Sequence, residues 1–365
     1  MSFLSTLPDD VFARRQSLRE QILTVTDTTF DELTLAVFQY QAAYNPVYRE
    51  YLRLLNSSPA TVTEIRQIPF MPISFFKTHS ILTGLQADKD MLDAPLTFAS
   101  SGTTGQQTSR HLVVDPELYD AVSVRIFEET YGPLRDFHIL ALLPSYLERN
   151  NSSLVYMVQR FMAQINPDNT GGFYLNNYSE LTTELRRLAS QRSEESDWRK
   201  RVLLIGVTFG LLDWAEDTQE DLSFLKEFGS DLVVMETGGM KGRRKELLRE
   251  EVHEILNRQL GIKTIHSEYG MTELLSQAYS MGSGVFRNSA TLRVLLRDIN
   301  DPFSMYDEGN ERRSGGINVI DLANLDSCSF IETQDLGQYV ETDGSFRVIG
   351  RFDNSDVRGC NLMIS

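Results

Sequence analysis

Cysteine is nearly missing from this chain. Its two residues in 365, Cys328 and Cys360, exclude a disulfide framework and lack the spacing of a metal cluster. Basic residues are in deficit: 35 Lys and Arg against 51 Asp and Glu leave a formal charge of −16. That balance argues against a general nucleic-acid binder, whose affinity comes from neutralising phosphates, yet it leaves room for a local Arg-bearing pocket for one nucleotide. No run approaches the roughly 20 apolar residues of a spanning helix. The first ten residues carry neither the basic nor the apolar region of a signal peptide. The expectation is a cytoplasmic protein with no nucleic-acid partner and no stable membrane insertion. The five histidines, His79, His111, His138, His253 and His266, show no triad spacing. There is no Walker A loop, no Gly-x-Gly-x-x-Gly, no internal repeat and no low-complexity segment.

What the chain does have is the run Ser100-Ser-Gly-Thr-Thr-Gly-Gln-Gln-Thr-Ser-Arg-His111, placed after a short apolar strand at 94–100. Gly102 and Gly105 let the backbone turn tightly and approach a ligand. Ser101, Thr103 and Thr104 add hydroxyls, and successive N–H groups in such a turn make an anion-binding concavity. Arg110 supplies a planar, permanent charge suited to phosphate. The same composition also describes a polar surface loop.

The chain is long enough for one large domain or two ordinary ones, and 41% of it is hydrophobic. Residues 8–57 read as helical, with Thr29-Phe-Asp-Glu32 as a capping box and Leu33, Val37 and Tyr40 on one face. Residues 68–79 alternate prolines and aromatics, which suggests an extended, packed segment. From about 135 onward, apolar strands at 137–143, 173–175, 202–210 (a strand and turn ending at Gly210), 232–235 and 263–267 alternate with helices at 153–163, 179–192 and 243–260. The last helix carries Leu248, Val252, Ile255 and Leu256 on one face and ends at Gly261. Strands separated by helices imply parallel βαβ units. After 285 the pattern becomes antiparallel, with Leu292, Val294 and Leu296 alternating with Arg293 and Arg297, and ends in a hairpin over 339–349 with an Asp343-Gly344 turn. The expected organisation is a helical and α/β part over 1–285, a small antiparallel, barrel-like β part over 286–350, and a short tail over 351–365.

In open α/β sheets ligands bind beyond the carboxyl ends of the strands, and several strands here end in chemistry. Tyr269-Gly-Met-Thr-Glu273 offers an aromatic face for a base, a hydroxyl for phosphate, and a carboxylate for Mg²⁺, which favours carboxylate plus phosphate oxygens. Glu236-Thr-Gly-Gly239 allows flat approach of a ring over Gly238 and Gly239. Glu332-Thr-Gln-Asp335 offers a carboxylate for ribose hydroxyls, and Gly350-Arg-Phe-Asp353 adds an Arg and an Asp. Each alone has a bland alternative: Tyr269 as a core aromatic, Asp335 as a turn residue, Arg351 as a solvated charge.

Taken in order, these five segments resemble the adenylate-forming superfamily of acyl-CoA ligases, peptide-synthetase adenylation domains and luciferases. Within it, the runs 72–79, 100–111 and 235–244 are more similar to the acyl-protein synthetase (LuxE-type) branch of bacterial bioluminescence. The resemblance covers roughly residues 70–355. It implies the large α/β domain of that superfamily, with its C-terminal lid domain absent or nearly so, since only 12 residues follow Asp353; an intact chain and a fragment are both compatible with that. It implies an ATP- and Mg²⁺-dependent ligase that converts a carboxylic acid, most simply a fatty acid, to an acyl-adenylate with release of pyrophosphate. Ser101, Gly102, Thr103, Thr104 and Gly105 would cradle the β,γ-phosphates. Thr272 would meet the α-phosphate, Glu273 the metal, and Gly238, Gly239, Tyr269 and Gly270 the adenine. Asp335 and Arg351 would hold ribose, and Asp353 would be the hinge. Arg110 stands in for the family's loop lysine, which this sequence replaces with Gln106. Cys360 would accept the acyl group and pass it to a partner reductase, while Cys328 is structural. Phe75, Phe76, Leu143, Phe209 and Met240 are candidates for an acyl pocket and equally for core. Two other readings remain: a ligase that loads coenzyme A or a carrier protein instead of Cys360, and an adenylate-binding protein without turnover.

Overall fold

The computed structural model describes the chain apart from residues 1–3, 5–6, 85–93, 101–107, 145–150, 176, 196–197, 218–220, 239–246, 308–312 and 353–365. The elements run α1 (Asp9–Leu23), α2 (Phe30–Tyr44), α3 (Pro46–Leu54), β1 (Met71–Pro72), α4 (Phe75–Thr78), β2 (Leu96–Ala99), β3 (Arg110–Val113), α5 (Pro116–Tyr131), β4 (Phe137–Leu142), α6 (Ser153–Met162), β5 (Gly171–Phe173), α7 (Tyr178–Glu194), β6 (Arg201–Gly206), α8 (Thr208–Asp217), β7 (Leu232–Glu236), α9 (Arg249–Leu260), β8 (His266–Tyr269), β9 (Ala278–Ser280), β10 (Leu292–Arg297), β11 (Ser314–Asp321), β12 (Phe330–Tyr339) and β13 (Phe346–Arg351).

Three sheets result. The largest has the order β5-β4-β6-β7-β8-β9, parallel except for the β8–β9 pair. β4 and β7 are buried along their whole length and β6 at all but its first residue. Continuous apolar runs of this kind are what a parallel sheet covered on both faces requires. The second sheet has the order β1-β12-β11-β10, with β13 also on β12. Its pairings are antiparallel except β1–β12, so Met71-Pro72 of the N-terminal half joins the C-terminal sheet. The third is the β2–β3 pair. No helix of the described residues is long and apolar enough to cross a membrane.

The α/β alternation is as expected, with local differences. Thr29 does not cap α2; its hydroxyl accepts the Thr26 N–H at 3.0 Å and closes the preceding turn instead. α9 begins at Arg249, and Leu248 stands outside the buried face at 63% exposure. The strand expected at 173–175 sits two residues earlier. α8 occupies the ground expected for a turn after β6.

The N-terminal helices hold a fully buried, mostly irregular stretch, residues 321–330. The Gln41 amide donates to the Asn324 and Leu325 carbonyls and accepts the Ser329 N–H. Asn45 caps α3 through its oxygen, while its amide donates to Thr83 Oγ1 and the Ser327 carbonyl. Arg15, with no exposed surface, forks onto both oxygens of Asp326 at 2.8 and 2.6 Å and reaches Asp115, the α5 N-cap, at 2.6 Å. Asp115 is shared with Arg19. Breaking a buried pair by removing one partner strands a charge and costs about 3–5 kcal/mol, whereas a more exposed pair is worth about 0–1 kcal/mol. Arg15→Met is therefore expected to lower unfolding stability by about 3–5 kcal/mol and Arg19→Met by about 1 kcal/mol or less. Urea titration of the two variants checks this, and equal losses would contradict it.

Candidate active site

The proposed phosphate loop, with Ser101, Gly102, Thr103, Thr104 and Gly105, lies outside the described residues, but its base is defined. β2 and β3 pair up to Ala99 and Arg110. Ser100 N–H then donates to the Ser109 carbonyl at 3.1 Å, and Ser109 N–H to Ser100 Oγ at 2.9 Å. The loop thus leaves and returns at one closed pair, with Arg110 exposed at its exit. Next along β3, His111 is fully buried and packs edge-on against Phe76. Its Nδ1–H donates to the Thr272 carbonyl at 2.9 Å, the tautomer that this acceptor dictates. Burial pushes the imidazole down to about 4, against the raising effect of that bond.

The turn after β8 is held from three sides. His111 takes Thr272. Asn324 donates to the Glu273 carbonyl at 2.8 Å. The buried Asp321 accepts Leu275 N–H, Ser276 N–H and Ser276 Oγ–H. Glu273 itself is 6% exposed, and burial raises its carboxyl despite the Ser109 hydroxyl beside it. Gly270 packs against the carboxylate end of Glu268, which a Cβ at that position would push aside.

Two other predicted segments converge on β8. Tyr269, packed edge-on against Phe346 and tilted against Phe286, donates its hydroxyl to Asp335 Oδ2 at 2.9 Å. Arg351 Nε lies 3.3 Å from the other oxygen. Asp335 is placed by a local turn: Thr333 Oγ1 accepts the Asp335 N–H and donates to the Ile317 carbonyl. Burial outweighs Arg351 and Tyr269 and raises the Asp335 carboxyl. Beneath this turn Arg297, 5% exposed, bonds the Ile317 and Thr333 carbonyls and Asn318 Oδ1. Its alternation with Leu292, Val294 and Leu296 reads as an exposed charge; three buried acceptors take it inside.

At the end of β7, Gly238 adopts φ +71°, and among the described residues no atom lies within 4 Å of where its Cβ would be. Its N–H donates to Glu236 Oε2 at 2.7 Å, which also accepts the Thr208 hydroxyl. Arg249 Nε reaches Glu236 Oε1 at 2.9 Å. Burial raises the Glu236 carboxyl, but His253, Arg249, Ser267 and Thr208 outweigh it and hold it at about 2. His253 Nε2 lies 3.2 Å from Ser267 Oγ and 3.7 Å from Glu236. Both use one ring nitrogen and Ser267 is fully buried, so the trio is no nucleophile relay. Sequence reasoning gave no role to Glu236 or Arg249; the one available signal was an acid separated by one residue from paired glycines.

Gly239, Met240, Asp353 and Cys360 lie outside the described residues. Phe76, Leu143 and Phe209 are core side chains, and Phe75 is partly buried on Tyr51 and His79. Cys328 is buried, with its thiol pushed up to about 12, the inert structural residue expected. No three His, Cys, Asp or Glu side chains gather as a metal cage among the described residues. Mg²⁺ held with substrate phosphates needs only one or two carboxylates, and Glu273, a buried carboxyl lacking full compensation, fits that demand.

A profile of the LuxE acyl-protein synthetases matches residues 20–365. The chain belongs to this family. A search of curated proteins found no match. Among solved structures, the chain is similar to a long-chain fatty-acid–CoA ligase from Archaeoglobus fulgidus, with 13% identity, a TM-score of 0.46, and coverage of 74% of this chain and 53% of that one. It is also similar to an acyl-CoA synthetase from Brucella canis, with 18% identity, a TM-score of 0.45, and coverage of 71% and 45%. The chain spans about half the length of these structures.

The buried imidazole beside the site makes stability fall in acid. The His111 proton affinity is lower folded, at about 4, than unfolded, at 6.5. As pH drops from 6.5 toward 4 the unfolded chain binds the proton first, so its share of stability is lost there at up to about 1.4 kcal/mol per pH unit. His111→Asn, which keeps a donor for Thr272, is expected to flatten that limb of the stability curve. Denaturant midpoints at pH 7.5, 6 and 5 measure it, and parallel curves for the two proteins would refute it.

Proposed function

We propose that this chain activates a fatty acid as an acyl-adenylate at the expense of ATP and then transfers the acyl group to a thiol. The observation that carries the reading is the meeting of three separate segments: Thr272-Glu273, Asp335 and Arg351 gather around Tyr269, beside the base of the 101–107 loop. Family membership supports the chemistry, and the raised carboxyls of Glu273 and Asp335 support the ligands. A buried carboxyl without full compensation gains from a bound cation or hydroxyl donor.

In this reading Ser101, Thr103 and Thr104, with the N–H groups around Gly102 and Gly105, hold the β,γ-phosphates, and Arg110 offsets their charge. Thr272 meets the α-phosphate. Gly238, Gly239, Tyr269 and Gly270 frame adenine, Asp335 accepts ribose hydroxyls and Arg351 supports it. Glu273 holds Mg²⁺, which supplies charge neutralisation on the phosphates. A substrate carboxylate oxygen attacks the α-phosphorus, and the bond to the β-phosphate oxygen breaks with its electron pair leaving on pyrophosphate. The protein's contribution is alignment and charge stabilisation. The thiolate of Cys360 then attacks the acyl carbon, a thioester forms, and AMP leaves. A protein acceptor, such as a reductase, takes the acyl group from there.

Acid-dependent ATP–pyrophosphate exchange over fatty and aryl acids tests this. Exchange with fatty acids is expected, reduced about 10²-fold or more by Glu273→Gln. Cys360→Ser is expected to keep exchange and lose the covalent acyl-enzyme. Full thioester output onto coenzyme A by that variant would favour a CoA ligase. Nucleotide binding with no exchange for any acid would leave a non-catalytic adenylate binder.

A further inference from the structure

The main-chain pairing of β7 with β8 stops short of the site. It runs only through Met235–His266 and Glu236–Ser267. Beyond it, no strand pairing fixes the gap between Gly238 on one side and Tyr269 on the other, the two flanks at which the reading above sets adenine. A side-chain bridge spans that gap instead. Gly238 N–H is bound to Glu236 at 2.7 Å. Glu236 is bound to Arg249 Nε at 2.9 Å, from the first turn of α9. The Arg249 guanidinium lies over the Phe286 ring, 4.9 Å from its centroid. Phe286 packs against Tyr269 at 5.9 Å and stacks on Phe346 at 5.6 Å. One arginine thus touches a carboxylate that fixes one flank and a ring that backs the other. The face of Gly238, with no atom of the described residues within 4 Å of its missing Cβ, is where a flat ring can lie against backbone.

We propose that Glu236 and Arg249 are positioning residues that set the width of the nucleobase slot and thereby its preference for adenine. Neither touches the nucleotide. The planar fork of Arg249 bonds Glu236 and lies over the aromatic ring at once, a geometry that lysine does not reproduce. The inference rests on the adenylate-forming reading, and its test is separable from it.

The experiment is equilibrium titration with a fluorescent ATP analogue, competed with unlabelled ATP and GTP, alongside pyrophosphate-exchange kinetics. Arg249→Met removes charge and fork at similar length; Arg249→Lys keeps the charge alone; Arg258→Met on the same helix is the control. Arg249→Met is expected to raise the ATP Kd and KM about tenfold, with kcat within threefold, and to reduce the ATP-over-GTP preference at least threefold. Arg249→Lys should fall between it and the parent protein, and Arg258→Met should stay within twofold. An unchanged ATP Kd and unchanged ATP:GTP ratio would overturn the inference. So would a fall in kcat at constant KM, the mark of general loosening. If Arg249→Met does not fold, Arg249→Lys carries the same comparison. A parent protein that binds ATP but exchanges pyrophosphate with no acid defeats the proposed reaction and leaves the slot to be judged by the binding data. A parent protein that binds no nucleotide defeats both.

Discussion

Irregular backbone survives in a protein core only when other groups satisfy its N–H and C=O, and residues 321–330 make that demand here. On one side their polar groups are met by Gln41, Asn45, Thr83 and Arg15, all from the first quarter of the chain. On the other side the same stretch gives support away: Asp321 and Asn324 hold the turn that carries Thr272 and Glu273. That turn in turn accepts His111 and so anchors the return of the 101–107 loop. The N-terminal helices thus support Thr272, Glu273 and the base of the 101–107 loop through the 321–330 stretch, while Gly238 is held separately by Glu236. A loss of packing at α1 or α2 therefore reaches the site through two hydrogen-bonded layers.

Carboxylates around the site divide by what faces them. Glu236 has a guanidinium, a hydroxyl, a backbone N–H and a nearby imidazole, and it stays ionised into strong acid. Asp321 accepts four protein donors and is still raised, because burial wins where no cation balances it. Glu273 and Asp335 are raised with fewer partners. The first kind of group is scaffold, complete in itself. The last two are groups that a cation or a sugar hydroxyl would complete, which is why the proposed ligand contacts are assigned to them and not to the more heavily bonded Glu236.

Much of this was legible in the sequence. The runs FHILAL, VLLIG and LVVM are too apolar and too short for anything but covered parallel strands, and the sheet contains them. The order of motifs pointed to the family. Several missed features share a cause: their reason lies far away in the chain. Cys328 reads as structural, but the burial of the whole Asp326-Ser-Cys-Ser329 run depends on Arg15, Gln41, Asn45 and Thr83, which the local sequence does not announce. Arg297 reads as solvent-facing until the Ile317 and Thr333 carbonyls arrive. β1 is two residues long, invisible to any periodicity, and is defined solely by β12. α8 was hidden by Gly210, taken as a turn; Leu211, Leu212, Trp214 and Ala215 carried a helical apolar pattern that outweighed it.

The bond between Gln41 and the Asn324 carbonyl joins residues 283 positions apart, and this sets an order on synthesis. At roughly 5–20 residues per second, α2 leaves the ribosome about 15–60 s before the segment it must grip. During that interval Phe30, Leu33, Val37 and Phe38, buried in the finished protein, have no completed core to enter. The parallel sheet between them can close early, since β4, β6, β7 and β8 are contiguous in the chain. The end of that sheet where Tyr269 meets Asp335 and Arg351 is finished only with the last described strand. The helical end of this protein thus stays uncovered, with those apolar side chains exposed, until the 321–330 stretch has been made.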